Sequence, residues 1–295
     1  MLVDFEDLWI NDVHVHVNPF SKLKKPAFDF FSTNPDFREN WQKIERYPNY
    51  FLQRMDEDRI RRAVLINYVA AEVMGYDLTT NKFVYNYCKE HRDRMLPFAG
   101  VDVRLPAPEF LNSLEEAYSR YEVLGFKLHP VHQLVYPNQY REEYGSSSLR
   151  NLETFYQFCA DHDLPVTIHT GTSMFPGARL KYGQPIHLDD VLVDFPKLRL
   201  IMAHGGRPFW MDEAFFLMRR HRNLYLDISG IPPNRLLDYF PRLEEVAERV
   251  MFGSDWPSPG VKGMRENARI IWQLEGLSEH VKERILVSNF DEFFK

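Results

Sequence analysis

The sequence predicts an α/β protein built as a closed (β/α)8 barrel of the TIM type, a single domain over residues 1–295. Three observations carry this. Eight short apolar runs, each followed by a helical pattern, end near residues 16, 68, 103, 129, 169, 204, 229 and 255, and alternating β and α with apolar strands means a parallel sheet. A length of 295 residues suits eight such units in one closed barrel. The runner-up, an open doubly wound sheet, is disfavoured because no Gly-rich phosphate turn follows the first strand.

The first strand is Trp9 to Val17, rich in β-branched residues and stopped by Asn18-Pro19. Alternation puts Asp12, His14 and His16 on one face and Val13, Val15 and Val17 on the other. A long irregular stretch, Asn18 to about Tyr47, reads as a loop after this strand. A helix from Tyr50 to Arg61 then leads to the buried strand Ala63–Tyr68. Helices over 79–91, 108–121, 148–162, 188–195, 210–220 and 234–248 alternate with strands 96–103, 125–129, 165–169, 198–204, 223–229 and 249–255. Two helices, about 265–274 and 279–286, close the chain.

Composition narrows the class. Hydrophobic residues make up 44% and charged residues 26%, as in soluble globular proteins, and the net charge of −6 offers no basic field for nucleic acid. No apolar run approaches membrane length, and the acidic start Met1–Asp7 is no signal peptide. Cys88 and Cys159 fall inside helical patterns, as buried thiols in a reducing compartment do. A cytoplasmic protein with a small-molecule substrate, and neither a nucleic-acid nor a membrane partner, is the expectation. The aromatic tail Phe290–Lys295 packs either on the barrel or on a second subunit, which leaves a homodimer open.

Active sites of such barrels form at the C-terminal ends of the strands. Five of the 11 histidines fall there: His14 and His16 on strand 1, His129 on strand 4, His169 on strand 5 and His204 on strand 6, with Asp255 on strand 8. Each alone reads equally well as a hydrogen-bonded core histidine or as a site residue. Together, four strand ends bearing imidazoles and one bearing a carboxylate suit a divalent ion with an open position; the absence of cysteine argues against a closed structural zinc site. Such an ion lowers the pKa of its water to about 7, and His204 has an intrinsic pKa suited to moving a proton.

The His-x-His of strand 1, the His ending strand 5, His204-Gly205-Gly206 and Gly253-Ser254-Asp255-Trp256-Pro257 together resemble the amidohydrolase superfamily, specifically its amidohydrolase-related branch of hydrolases, lactonases and nonoxidative decarboxylases. The resemblance implies His14, His16, His169 and Asp255 as metal ligands, with Asp255 and His204 as catalytic residues moving protons. It places Arg207 in a substrate-contacting loop, and puts His129 beside the substrate or behind the ligands. Lys127, one step deeper than His129, has three readings: a substrate contact, a carboxylated lysine bridging two metals as in some members, or a buried partner of Asp12. The implied cofactor is one divalent metal ion, zinc first, with manganese, iron or magnesium as the other choices. The implied activity is hydrolysis of a small, carboxylate-bearing amide, ester or lactone. The alternatives are nonoxidative decarboxylation of an aromatic or dienoic acid, and a barrel that binds a ligand without catalysis. Mouth-loop cations Lys22, Lys24, Lys25, Arg179 and Lys181 join Arg207 as candidates for pairing with a substrate carboxylate, and Phe175, Trp210, Trp256 and the aromatics of 18–47 as candidates for walls. The ending Leu286–Lys295 departs from the family's usual Gly-Asn-Ala close.

Overall fold

The computed structural model describes residues 4–295; Met1–Val3, and with them the first part of the acidic N-terminal stretch, lie outside the described residues. Eight strands form one parallel sheet in sequential order: β1 (Ile10–Val15), β2 (Ile60–Ile66), β3 (Met95–Gly100), β4 (Gly125–Leu128), β5 (Val166–His169), β6 (Leu200–Ala203), β7 (Leu224–Asp227) and β8 (Val250–Met251). The β8–β1 seam closes through Val13 N to Phe252 O (2.9 Å), Asp255 N to His14 O (2.9 Å) and His16 N to Trp256 O (2.7 Å). Asp12 completes it, its Oδ1 accepting the backbone N–H of both His14 and Ser254 at 3.0 Å. A carboxylate thus satisfies amides that a short β8 leaves without a ladder partner.

The stretch 18–47 is a correction to the sequence reading. It is not an irregular loop but holds α1 (Lys25–Phe31) and α2 (Pro35–Arg46), followed by α3 (Pro48–Glu57). Pro26, Pro35 and Pro48 all sit in first helical turns, where a missing N–H costs nothing, and Asn34 caps α2 by accepting from Asp36 and Phe37 N–H. Phe31, Phe37 and Ile44 bury the apolar side of this pair.

The remaining helices are α4 (Thr79–Cys88), α5 (Ala107–Glu115), the short α6 (Pro130–Gln133), α7 (Asn151–Asp161), α8 (His187–Asp194), α9 (Met211–Arg220), α10 (Leu236–Tyr239), α11 (Met264–Gln273), α12 (Glu279–Glu283) and α13 (Asn289–Phe293). The single helix expected over 234–248 is broken because Pro241 forces Phe240 out of helical geometry (φ −130°, ψ 72°), and 3-10 turns follow. Cys88 and Cys159 are free and buried, as expected. The tail packs on the barrel: Asn11 Nδ2 donates to Val287 O (3.1 Å) and Asp291 Oδ1 (3.0 Å), and the Phe293 ring lies 4.5 Å from that of Tyr225. No helix among the described residues is long and apolar enough to cross a membrane.

Candidate metal centre and active site

The carboxyl-terminal ends of the strands surround a cavity of about 350 Å3. His14, His16, His129, His169, His204, Arg207 and Asp255 all line it. Lys127 does not. The cavity is also lined by two residues the sequence reading did not select, Tyr68 after β2 and His132 on α6.

On the β8–β1 side, His14 Nε2, His16 Nε2 and Asp255 Oδ1 converge. The separations are 3.3 Å between the two nitrogens, 3.1 Å from His16 Nε2 to Asp255 Oδ1 and 3.7 Å from His14 Nε2 to Asp255 Oδ1. A tetrahedral ion with bonds of about 2.0–2.2 Å holds its ligands about 3.3–3.6 Å apart, so the trio has the spacing of ligands to one small cation. Tautomers sharpen the fit. His14 Nδ1 donates to Asp227 Oδ2 at 2.5 Å, and His16 Nδ1 donates to Ile66 O at 3.3 Å. Both Nε2 atoms therefore present lone pairs to each other across 3.3 Å, an arrangement that an intervening cation turns from repulsive to favourable.

Asp227 is a third residue that sequence reasoning missed. It is fully buried at the end of β7; Oδ2 also accepts from Ser229 Oγ (2.9 Å), and Oδ1 accepts from Ser229 N–H (2.8 Å). Burial holds its carboxyl above the usual range. Gly253 makes the room: a Cβ there would lie 2.4 Å from Asp227 Oδ1 and 2.8 Å from His14 Cβ. Burial raises Asp255, but the surrounding His16, His14 and Arg207 side chains outweigh it, and its carboxyl is held well below the ordinary value.

His204 sits at φ 69° where β6 gives way to the Gly205-Gly206 turn, and Asp255 at φ 61° beyond β8; both side chains are aimed by left-handed backbone that non-glycine residues seldom adopt. Gly205 (φ 54°) needs its missing Cβ, which would meet the Phe240 ring at 2.6 Å. His204 Nδ1 donates to Ser229 O at 2.7 Å, which leaves Nε2 as an acceptor. Burial first, and then the neighbouring cations Arg207 and Lys127, push this imidazole well below its ordinary value and keep it neutral.

Opposite the trio, His132, His129 and His169 stack, with ring centroids 3.7 Å and 4.0 Å apart in that order. His169 turns its edge to His204 at 4.7 Å. His169 stands outside the 4.8 Å group formed by His14, His16 and Asp255, yet both of its ring nitrogens and His129 Nδ1 are buried without a hydrogen-bond partner among the described residues. Burial first, and nearby positive charge second, hold both rings neutral.

The cations are corrected. Lys22 pairs with Asp77 (3.5 Å), Lys24 donates to Glu72 O (2.7 Å), Lys25 pairs with Asp29 (2.6 Å), Lys181 lies over the Tyr182 ring and Arg179 is exposed away from the cavity. Arg207 alone among them reaches the cavity, its Nε and Nη1 held by Gly230 O and Thr172 O at 2.7 Å each. Lys127 is buried beneath the cavity, its Nζ without a partner among the described residues. The Asp12 pair, one of its three readings, does not form: Asp12 Oδ1 accepts the seam amides, and its Oδ2, like Lys127 Nζ, is buried without a hydrogen-bond partner among the described residues. Burial lowers Lys127 to about 8, against the pull of Asp227 and Asp255. Phe175 is a wall as expected, joined by Phe30 and Phe31 of α1. Trp256 instead packs behind the site on Phe51, and Trp210 lies outside it.

The sequence profile of the amidohydrolase family matches residues 12–295. No curated protein matches the chain. Among solved structures, the chain is similar to an uncharacterised TIM-barrel protein from Bordetella bronchiseptica (20% identity, TM-score 0.74, covering 96% of this chain and 98% of that one). It is similar to a dihydroxybenzoic acid decarboxylase from Polaromonas with bound manganese and the inhibitor 2-nitroresorcinol (16% identity, TM-score 0.65, 97% of each chain). It is also similar to a probable 2-pyrone-4,6-dicarboxylic acid hydrolase from Acinetobacter baumannii with citric acid bound (16% identity, TM-score 0.64, covering 97% and 99%). At these identities the likeness is one of fold.

Proposed function

We propose, since this chain belongs to the amidohydrolase family, that it is a metal-dependent hydrolase of a small, carboxylate-bearing amide, ester or lactone. The observation that carries the reading is the facing of His14 Nε2, His16 Nε2 and Asp255 Oδ1 across 3.1–3.7 Å with both imidazole tautomers fixed from behind. His14, His16 and Asp255 would hold the ion, zinc first, with His169 as the fourth protein donor. When bound, such an ion acts as a Lewis acid and brings the pKa of water down to about 7. His204 Nε2, free to accept because Nδ1 is spent on Ser229 O, takes the proton of the attacking water and returns it to the leaving group. The guanidinium of Arg207 pairs with the substrate carboxylate. Phe30, Phe31 and Phe175 exclude bulk water from the cavity they wall.

Those same rings support a second reading, nonoxidative decarboxylation, in which a flat acid lies against the Phe30–Phe31–Phe175 wall and His204 hands a proton to the carbon that loses CO2. Product analysis separates the two: incorporation of 18O from labelled water marks hydrolysis, and CO2 release marks decarboxylation. Elemental analysis comes first. Protein purified without chelator that neither carries nor takes up a divalent ion overturns both. His169→Ala is expected to lose the ion and His204→Ala to keep it while losing rate; loss of the ion in His204→Ala would reverse the division of roles.

A further inference from the structure

Tyr68 takes no part in the chemistry above, yet it stands in the middle of it. It lines the cavity with its ring edge-on to His16 (centroids 5.8 Å apart) and 4.9 Å from His129. Its hydroxyl lies 3.4 Å from His132 Nδ1, and His132 Nε2 lies 2.7 Å from Ser173 Oγ. Three residues after three different strands thus form one hydrogen-bonded chain, whose tyrosine end stands beside the ion ligand His16.

The chain has a direction. Ser173 Oγ already accepts the N–H of Phe175 at 3.3 Å and keeps its own proton to donate to His132 Nε2. A neutral imidazole carries one proton, so His132 then donates from Nδ1 to the Tyr68 oxygen. Tyr68 is left with its proton pointing into a cavity rich in acceptors, among them Asp255 and the unpartnered nitrogens of His129 and His169. Run in reverse, the chain would spend the phenol proton, the best donor present, on its longest link. An oriented hydroxyl in a water-poor site needs no reorganisation when charge develops on a nearby oxygen.

We propose that Tyr68 is a catalytic residue that donates a hydrogen bond to the substrate oxygen on which negative charge develops, with His132 and Ser173 as positioning residues. The inference rests on this cavity being the substrate site of the reaction proposed above. Because Phe175 is a cavity wall and its N–H is held by Ser173, the same chain ties that wall to the donor.

The test is binding by the zinc-loaded protein, measured calorimetrically, of methylphosphonate, a tetrahedral oxyanion, and of acetate, a planar one. Tyr68→Phe keeps the ring and hence the packing. It is expected to weaken methylphosphonate about 10- to 100-fold, the loss of one hydrogen bond to a charged group, and acetate less than about threefold. Ser173→Ala is expected to weaken methylphosphonate at least about threefold, and Ser173→Thr, which restores the hydroxyl, to recover it. The 15N shifts of His132 are expected to show the Nδ1–H tautomer. Equal methylphosphonate binding by Tyr68→Phe, no binding by the parent, equal losses for both anions, no effect of Ser173→Ala, or an Nε2–H His132 each overturns the proposal. Tyr68-dependent binding in a protein that incorporates no 18O into any product would sink the hydrolase reading alone.

Discussion

Replacing Asp227 by asparagine separates a metal-holding role from a merely structural one. The carboxylate does not itself line the cavity; it acts through His14, whose Nδ1–H it receives at 2.5 Å with both groups buried. Asparagine has nearly the same shape and its amide oxygen can keep the hydrogen bond from Ser229 N–H. What is lost is the negative charge that fixes the His14 tautomer and raises the basicity of Nε2. Removing such an outer partner typically weakens metal binding about 10- to 100-fold, which is about 1.4–2.8 kcal/mol. Stability should not follow. Burial raises the Asp227 carboxyl, so its ionised form opposes folding at neutral pH, and the metal-free variant should melt no lower than the parent at pH 7. The assay is a zinc titration against a chromophoric chelator beside a thermal melt of the metal-free protein. Unchanged zinc affinity would refute the reasoning, and equal losses in affinity and melting temperature would make Asp227 a packing residue.

Asp12, fully buried, has its carboxyl pushed up to about 7 from 3.8 by burial. The folded state therefore holds a proton that the unfolded chain has released, and stability falls as pH rises from about 4 through 7, by about 4 kcal/mol in total. Asp12→Asn should flatten that slope in urea denaturation of the metal-free protein; identical slopes for variant and parent would show that Asp12 folds ionised. Gly253→Ala puts a methyl group 2.4 Å from Asp227 Oδ1 and 2.8 Å from His14 Cβ, so it should cost about 1–3 kcal/mol and weaken zinc as well, and a variant with parental zinc affinity would mean that strand β8 yields instead of the site. Phe293→Ala removes a buried ring 4.5 Å from Tyr225 and 4.7 Å from the Arg199 guanidinium carbon. A loss of about 3–5 kcal/mol is expected in denaturant unfolding, and a loss below about 1 kcal/mol would show that the tail is not part of the core.

The barrel was legible because strands covered on both faces must be apolar throughout. Runs such as Ala63-Val64-Leu65-Ile66 announce themselves without any alternation. The helices after β1 were not. Pro26 and Pro35 lie in the stretch 18–47 that reads as a loop, whereas each sits in the first turn of a helix. The opposite error fell on 234–248, where an apolar helical period was trusted across Pro241. In both places proline's position within an element, which composition does not reveal, decides its effect.

At the site, legibility followed distance from the strand end. The cavity histidines His14, His16, His129, His169 and His204 lie on strands or directly beyond them, and alternation assigns their faces. His132 lies on the short α6, where strand periodicity says nothing. Asp227 ends β7 with no neighbouring imidazole to single it out, and its partner His14 is 213 residues away. Lys127 marks the limit most clearly. Alternation correctly puts it on the inner face with His129, but it does not report depth. Two residues along a strand descend about 6.6 Å, enough to take the ammonium from the mouth to the barrel interior beneath the cavity. There it neither lines the cavity nor hydrogen-bonds Asp12. What it can do is act through space on Asp227 and Asp255, the two carboxylates nearest to it in effect. A cation placed under two carboxylates, one in the proposed ion site and one behind His14, lowers the cost of keeping both ionised, and that role depends on how the barrel closes rather than on any motif.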